Sequence, residues 1–257
     1  MIHFLKRFDP GAIRLLIFDL DGTLIDSRLD LIHSVNAMLR HFGRPELADD
    51  VIASYVGDGA PALVRRALFG QEQNGIEQPE LDPGENARDE ALFKSALEYF
   101  LGYYRLHKLD HTTVYDGIQR VLQLLANGGE SSRADKSVRP TRLMAVLSNK
   151  PVRPSQDIVQ ALGLGDYFVR VYGGNSFATK KPDPLGARML LEETGVAAAE
   201  TLMIGDSGVD VLTGRNAGLW TCGVKYGFAP HTLEETVPDV VVERPSEFAE
   251  LFGLDAG

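Results

Sequence analysis

The strongest candidates for catalytic residues in this sequence are two carboxylates separated by a single residue, Asp19 and Asp21. They directly follow Leu15–Phe18, an apolar run typical of a buried strand. Ligands of parallel α/β sheets bind at the carboxyl ends of the strands. One carboxylate placed there can attack an electrophile while the other moves a proton, and together they can hold a hard cation such as Mg²⁺. A solvated acidic turn has the same short pattern. The rest of the chain must therefore decide between a catalytic or metal-binding pair and such a turn.

Polar groups also follow three later apolar runs. Ser148 comes after Leu143–Leu147, and its hydroxyl can donate a hydrogen bond to a phosphoryl oxygen. Lys181 precedes a proline that can fix its position, and it offers a positive charge. Asp206 and Asp210 lie four residues apart where glycines permit a tight turn and a helix begins. Taken singly, each feature also fits an ordinary turn or helix start.

The joint arrangement is more specific than any one feature, because the carboxyl ends of parallel strands share one edge of a sheet. In chain order, these strand ends carry two aspartates, a serine, a lysine and two further aspartates. Phosphoryl transfer requires a nucleophile, a proton donor, a metal ion and positive charge beside the phosphoryl oxygens. The sequence therefore predicts an enzyme that transfers a phosphoryl group.

The elements that must hold these residues follow an α/β pattern. Apolar runs predict strands over residues 14–18, 143–147, 168–172, 201–204 and 219–224. Helical periodicity predicts helices over residues 117–126, 154–162, 184–194 and 208–217. Strands that alternate with helices form βαβ units, whose strands are parallel. We therefore predict an α/β core with a doubly wound, mostly parallel sheet of the Rossmann-like class.

The interval between the first two predicted strands is too long for a single crossover. Within it, apolar residues recur at helical spacing over Leu29–Phe42, Ala62–Phe69 and Ala91–Leu106. The sequence predicts a helical domain over residues 27–107, inserted into an α/β core of residues 1–26 and 108–257. Two polar stretches, Gln71–Glu85 and Asn127–Arg139, are predicted to be surface loops.

Composition limits the partners and the compartment. The chain of 257 residues is 44% hydrophobic and 24% charged, which suits one large or two unequal domains and disfavours global disorder. Its net charge of −10 repels nucleic acid and anionic membranes, so we expect neither as a partner, and an anionic substrate requires local positive charge. The single cysteine, Cys222, excludes an internal disulfide and fits a reducing compartment. With no signal-like or membrane-spanning segment, we expect a cytoplasmic protein, either a monomer or a homodimer.

In this order, the motifs resemble those of the haloacid dehalogenase-like phosphatase superfamily. The residues that carry the resemblance are Asp19-Leu20-Asp21-Gly22-Thr23, Ser148, Lys181, and Gly205-Asp206-Ser207 with Asp210. The resemblance covers nearly the whole chain, and the helical insertion resembles the cap domain of the superfamily's first cap class. It implies a hydrolase that forms an aspartyl-phosphate intermediate and uses Mg²⁺ as its cofactor.

The resemblance also implies a role for each core residue. Asp19 would be the nucleophile, and Asp21 would protonate the leaving alkoxide and then deprotonate water. Mg²⁺ would be held by the Asp19 carboxylate, the Asp21 backbone carbonyl and Asp206. The remaining roles are phosphoryl-oxygen binding by Ser148 and Lys181, and orientation of Lys181 or a metal-bound water by Asp210.

Within the superfamily, the sequence more closely resembles the phosphoglycolate phosphatases. Three stretches carry this resemblance: Val56–Leu68, Tyr115–Gly117 and Ser148–Pro151. This resemblance implies a small phosphorylated metabolite as partner, most specifically phosphoglycolate, cleaved to glycolate and phosphate. The residues implied in substrate binding are Thr23, Gly57, Asp58, Gly59, Arg66 and Asn149. Arg66 matches the pattern of a residue that meets the substrate carboxylate. Arg65 and Arg66 can instead be solvated or pair with acids of the cap, so this assignment stays open.

Two other functions stay open on the same sequence. A phosphomutase or a pyrophosphatase would use the same scaffold, and no sequence feature excludes either. A non-catalytic binding or regulatory protein would keep the fold, but the complete set of motif residues argues against it. Product analysis with a hexose phosphate tests the first alternative, and phosphate release with Mg²⁺ tests the second.

Overall fold

The structure is a computed structural model that describes residues 2–70, 83–128 and 142–254. The chain divides into two compact units, one formed by Met1–Asp26 with Thr113–Gly257 and the other by Ser27–Thr112. Most of the two polar stretches predicted as surface loops lies outside the described residues.

A seven-stranded sheet forms the first unit, in the order β1-β9-β8-β7-β2-β5-β6. Its strands are β1 (His3–Phe4), β2 (Leu15–Phe18), β5 (Leu143–Leu147), β6 (Arg170–Tyr172), β7 (Thr201–Gly205), β8 (Trp220–Val224) and β9 (Val240–Val242). All neighbouring strands are parallel except β1 and β9, which are antiparallel. A separate antiparallel pair joins β3 (Ile25–Asp26) to β4 (Thr113–Val114). The prediction of a doubly wound, mostly parallel α/β sheet is confirmed.

Strand β2 carries side chains to both faces of this sheet, because successive residues of a strand point to opposite sides. Leu16 and Phe18 pack in one apolar cluster, with residues of α5 (Ile118–Asn127), α6 (Val152–Ala161) and α9 (Glu247–Leu251). Leu15 and Ile17 pack in another, with α7 (Leu185–Thr194). These four side chains are fully buried, and each contributes about 1.5–3 kcal/mol through burial. The double-sided cover explains why β2 is a continuous apolar run, which is typical of parallel strands.

The central position of β2 determines where its carboxyl end lies. The strand pairs with β5 through Phe18 and Val146, and with β7 through Phe18 and Ile204. The residues that follow these three strands therefore meet at one edge of the sheet. The next helix after β7 is α8 (Gly208–Ala217), which begins at this edge.

The described part of the second unit is helical. It contains α1 (Arg28–His41), α2 (Asp49–Ser54), α3 (Ala60–Phe69) and α4 (Pro83–His107). Leu31, Val35 and Met38 of α1 share one apolar cluster with Phe93 and Phe100 of α4. The α1 residues are three or four positions apart and the α4 residues are seven apart, so each set lies on one face of its helix. Burial of these faces holds the unit together. Among the described residues, no helix combines the length and apolar character needed to cross a bilayer.

Candidate active site

The loop that follows β2 holds Asp19 and Asp21 at the edge of the sheet. The Asp19 backbone N–H donates to the Ile204 carbonyl at 2.8 Å, which extends the pairing with β7. Gly22 then turns the chain with φ of 82°, a conformation that favours glycine. A Cβ atom at Gly22 would also overlap the Asp206 carboxylate. The loop needs glycine for both its conformation and the close approach of Asp206.

Lys181 bridges two carboxylates at this edge. Its Nζ atom lies 2.8 Å from Oδ1 of Asp19 and 2.6 Å from Oδ1 of Asp210. The other oxygen of Asp210, Oδ2, accepts hydrogen bonds from the backbone N–H and the hydroxyl of Ser207. Burial acts to lower the pKa of Lys181, but the nearby charges of Asp19 and Asp210 outweigh it and raise that pKa above its ordinary value. The structure therefore places Asp210 against Lys181, where its predicted orienting role requires it.

Asp206 approaches the same edge from the end of β7. Its Oδ2 atom accepts backbone hydrogen bonds from Phe228 at 2.6 Å and Ala229 at 3.1 Å. Burial raises the pKa of Asp206 to about 8, and the carboxylates of Asp210 and Asp19 add to the effect. The loop after β8 that supplies these two N–H groups was not predicted from the sequence, because its donors are backbone atoms and carry no residue-type signal.

Asp21 projects to a different partner, Lys150. The Lys150 Nζ atom lies 2.9 Å from both carboxylate oxygens of Asp21. Lys150 follows Ser148 and Asn149 beyond β5, the neighbour of β2 in the sheet. No contact between Lys150 and Asp21 was predicted from the sequence, although the position of Lys150 in the Ser-Asn-Lys-Pro stretch was the available signal.

The charges at this edge favour a divalent cation. Two ammonium groups, those of Lys150 and Lys181, lie among four carboxylates, those of Asp19, Asp21, Asp206 and Asp210. Three of these carboxylates offer oxygens within 4.8 Å of one another, namely those of Asp19, Asp206 and Asp210. Burial, opposed in part by the charge of Lys181, raises the pKa of Asp19 to about 6. Burial is the larger cause of the raised pKa values of Asp19 and Asp206, and the neighbouring carboxylates add to it. A bound cation would stabilise the charged form of both groups.

The donor set separates the metal ligands from the supporting residues. Oδ1 of Asp19 is buried, and its one polar contact among the described residues is the pair with Lys181 at 2.8 Å. Both oxygens of Asp210 are already engaged by Lys181 and Ser207. Asp19 and Asp206 are therefore the carboxylates that fit a hard divalent cation, and Asp210 supports them.

Ser148, Asn149 and Thr23 lie close to this cluster but differ in what they contact. Ser148 is buried, and its Oγ accepts a hydrogen bond from the Lys150 backbone N–H at 3.3 Å. The Asn149 amide donates to the Lys181 carbonyl at 3.1 Å, which ties the loops after β5 and β6 together. Thr23 is completely buried, and its carbonyl accepts a hydrogen bond from the Tyr226 hydroxyl at 3.0 Å. Both Asn149 and Thr23 were predicted to bind substrate. In this structure the Asn149 side chain contacts the Lys181 backbone, and the Thr23 backbone contacts the Tyr226 side chain.

The residues predicted to contact substrate from the cap lie in the second unit, in the loop before α3 and in the last turn of α3. Gly57 and Gly59 have φ values of 131° and 86°, so this loop depends on glycine. Arg66 forms an ion pair with Asp58 and donates a hydrogen bond to the Tyr55 carbonyl at 3.0 Å. The open alternative of pairing with a cap acid is therefore realised for Arg66.

Arg65 has different neighbours within the same unit. Its guanidinium pairs with Glu90 at 3.0 Å and lies over the Phe93 ring, 4.1 Å from the ring centroid. These contacts join α3 to α4, which gives Arg65 a structural function.

The doubly wound sheet, with its acidic and lysine-containing strand ends, defines an α/β protein with a metal-competent site at the carboxyl edge. A model of the haloacid dehalogenase-like hydrolases matches residues 16–224. This chain belongs to that family. The match covers both the core motifs and the helical insertion, so the resemblance drawn from the motifs is confirmed.

Within this family, the chain is similar to several proteins that are named phosphoglycolate phosphatase. A protein of Pseudomonas fluorescens named phosphoglycolate phosphatase is 35% identical over 241 residues, which cover 93% of this chain and 79% of the relative. A Vibrio vulnificus protein of the same name is 34% identical over 247 residues, covering 95% and 98% of the two chains. A solved Haemophilus somnus structure, described as a predicted phosphoglycolate phosphatase, has a TM-score of 0.78 and 26% identity, and covers 93% and 98% of the two chains. The prediction of a hydrolase similar to the phosphoglycolate phosphatases is confirmed.

Proposed function

We propose that this chain is a Mg²⁺-dependent phosphatase of small phosphate monoesters, and that its substrate is phosphoglycolate. The observation that carries the proposal is the convergence of Asp19, Asp21, Lys181 and Asp206 on one edge of the sheet. These groups supply a nucleophile, a proton carrier and countercharge for a phosphoryl group. The substrate assignment rests on the relatives, which are named phosphoglycolate phosphatase.

In the first step, a carboxylate oxygen of Asp19 attacks phosphorus, and the bond between phosphorus and the ester oxygen breaks. Asp21 donates a proton to the departing alkoxide, which leaves as glycolate. In the second step, Asp21 takes a proton from water, which attacks the phosphorus of the aspartyl-phosphate and regenerates Asp19. Lys150 holds Asp21 by both oxygens, which fixes the direction of the group that carries the proton in both steps.

Lys181 and Ser148 supply the contacts to the phosphoryl oxygens. Lys181 is already oriented by Asp19 and Asp210, so little reorganisation is needed when charge develops on the phosphoryl group. Bound by Asp19 and Asp206, Mg²⁺ would add positive charge beside that group.

The proposal also covers the binding partner, the cellular location and the oligomeric state. The overall charge of −10 favours a small phosphorylated metabolite over nucleic acid or an anionic membrane. The anionic substrate is then attracted only by local positive groups such as Lys181. A cytoplasmic location and a monomer or homodimer stay predictions.

The test is phosphate release by the full chain with Mg²⁺ from phosphoglycolate, nitrophenyl phosphate, pyrophosphate and a hexose phosphate. We expect the highest kcat/KM for phosphoglycolate, and we expect Asp19→Asn to lose at least about a thousandfold in kcat while its circular dichroism is unchanged. Interconversion of hexose phosphates without phosphate release would indicate a phosphomutase. Preferential cleavage of pyrophosphate would indicate a pyrophosphatase. No turnover of any ester would indicate a binding or regulatory protein.

A further inference from the structure

A second cluster of metal-ligating side chains lies within the helical unit. Asp30 and His33 stand on α1, and His111 follows α4. Each of the three offers one ligand atom, and these atoms all lie within 4.8 Å of one another. Residues three apart on a helix share a face, so α1 presents Asp30 and His33 together.

The Asp30 carboxylate is fixed before any ligand binds. It is buried, and its oxygens accept hydrogen bonds from the backbone N–H groups of His111 and Thr112 and from the Thr112 hydroxyl. No lysine or arginine of the described residues forms an ion pair with it. Hydrogen bonds of this kind orient carboxylate ligands in metal sites. Oδ1 accepts only the His111 N–H among these donors, which leaves it acceptor capacity for a cation.

The two imidazoles are exposed and are separated from this carboxylate by a gap. Their rings meet edge to face, with centroids 5.1 Å apart. Within the described residues, neither ring forms an ion pair or hydrogen bond with Asp30, although their ligand atoms stay within 4.8 Å. Two metal–ligand bonds of about 2.0–2.2 Å each span such a gap after small side-chain rotations. Asp110, the neighbour of His111, is already paired with His107 at 2.7 Å.

We propose that Asp30, His33 and His111 form a binding site for a borderline transition-metal cation of the Zn²⁺ class. Two imidazole nitrogens and one carboxylate oxygen suit Zn²⁺ and its neighbours, whereas Mg²⁺ prefers oxygen ligands throughout. The site differs in chemistry from the all-carboxylate cluster of Asp19 and Asp206. The chain thus offers two sites that select different metals.

The location gives the metal a structural consequence. Asp30 lies in the first turn of α1, and His111 directly precedes Thr112, the last residue of the unit. A metal held by both segments would join the two chain ends of the helical unit. Because a ligand that binds only the folded state stabilises it, the melting temperature should rise with metal concentration.

The test uses the full chain with saturating Mg²⁺, so that the carboxylate cluster is occupied. Zn²⁺ binding is measured by calorimetry, and Co²⁺ is used as a spectroscopic probe whose visible absorption reports nitrogen and oxygen ligands. We expect one equivalent to bind, with the affinity reduced about tenfold or more in His33→Ala and in His111→Ala, and binding lost in the double variant. His111→Ala keeps the backbone N–H that contacts Asp30, so the variants should fold. His231→Ala, which removes an exposed histidine of the other unit, is the matched control and should bind as the unmodified protein does.

Three results would overturn the proposal. The first is the absence of binding in the unmodified chain. The second is an affinity in His33→Ala, His111→Ala and the double variant that equals the affinity of the unmodified chain. The third is displacement of the Zn²⁺ by excess Mg²⁺, which would assign the ion to the carboxylate cluster. All three readouts measure metal binding, so they do not depend on the phosphatase activity proposed above.

Discussion

Lys150 holds Asp21 by both carboxylate oxygens, with Nζ 2.9 Å from each. The Lys150 side chain is 4% exposed and that of Asp21 is 14% exposed, so water screens the pair only weakly. Asp21 follows β2 and Lys150 follows β5, and these strands are neighbours in the sheet. The contact therefore fixes the direction of the group that we propose to move the proton.

The first prediction concerns this pair. Lys150→Met removes the charge and keeps the length of the side chain, so Asp21 loses its bidentate partner. We expect kcat to fall about a hundredfold, the lower range of effects for positioned acid–base groups, with a smaller change in KM. Steady-state phosphate release from phosphoglycolate and from nitrophenyl phosphate measures both constants.

A double-mutant cycle separates positioning from direct substrate contact. In an Asp21→Asn background, Lys150→Met should have little further effect on kcat, because its partner is already gone. An undiminished loss in that background would show that Lys150 acts on the substrate itself. Lys150→Arg, which can restore a two-point contact, should recover part of the activity.

The long buried elements of this fold were predictable from the sequence. Strands β2, β5, β7 and β8 are apolar runs covered on both faces, so their residue types alone mark them. Several short elements were missed. Strands β1 and β9 and helix α2 have two to six residues, too few to show a period, and their pairing depends on tertiary contacts.

The residue types of the site were predictable from the sequence, but some of the contacts between these residues were not. The residues Asp19, Lys181, Asp206 and Asp210 were predictable because carboxylates and a lysine at strand ends are chemically distinctive. The contact between Asp21 and Lys150 spans 129 positions of the chain, and it depends on β2 and β5 being neighbours. Strand order is a property of the whole sheet, which the local pattern around either residue does not contain.

The second prediction concerns the metal. Removal of divalent cations by a chelator should abolish phosphate release, and added Mg²⁺ should restore it. Ca²⁺ should bind but support little turnover, because its looser and more variable coordination misaligns the reacting groups. Asp206→Asn should raise the Mg²⁺ concentration needed for half-maximal activity, whereas full activity in excess chelator would refute the site.

The third prediction tests the close approach of Gly22 and Asp206. Gly22→Ala adds a Cβ atom that overlaps the Asp206 carboxylate, at a residue with φ of 82°. Gly43→Ala is the matched control, because its φ is 66° and nothing lies within 4 Å of the added atom. Both variants should lose about 1–2 kcal/mol of unfolding free energy from backbone strain. Only Gly22→Ala should also lose Mg²⁺ affinity, and equal Mg²⁺ affinity in both would show that Asp206 can move aside.

The fourth prediction concerns substrate choice and Arg66. Its guanidinium pairs with Asp58 in the second unit, so it is held in place and carries charge that a substrate carboxylate can share. Arg66→Ala should lower kcat/KM for phosphoglycolate by one to two orders of magnitude, the loss of a charge-assisted contact of about 1.5–3 kcal/mol. Nitrophenyl phosphate, which lacks a carboxylate, should be hydrolysed nearly as before.

Arg65→Ala is the control for Arg66, because the two arginines are adjacent on α3 and differ in their contacts. Arg65 pairs with Glu90 and covers the Phe93 ring. Its loss should lower the melting temperature and leave the preference between the two esters unchanged. If Arg66→Ala instead reduces both esters equally, Arg66 supports the fold or meets the phosphoryl group. If it reduces neither, recognition of the carboxylate lies elsewhere, and the substrate assignment then rests on the relatives alone.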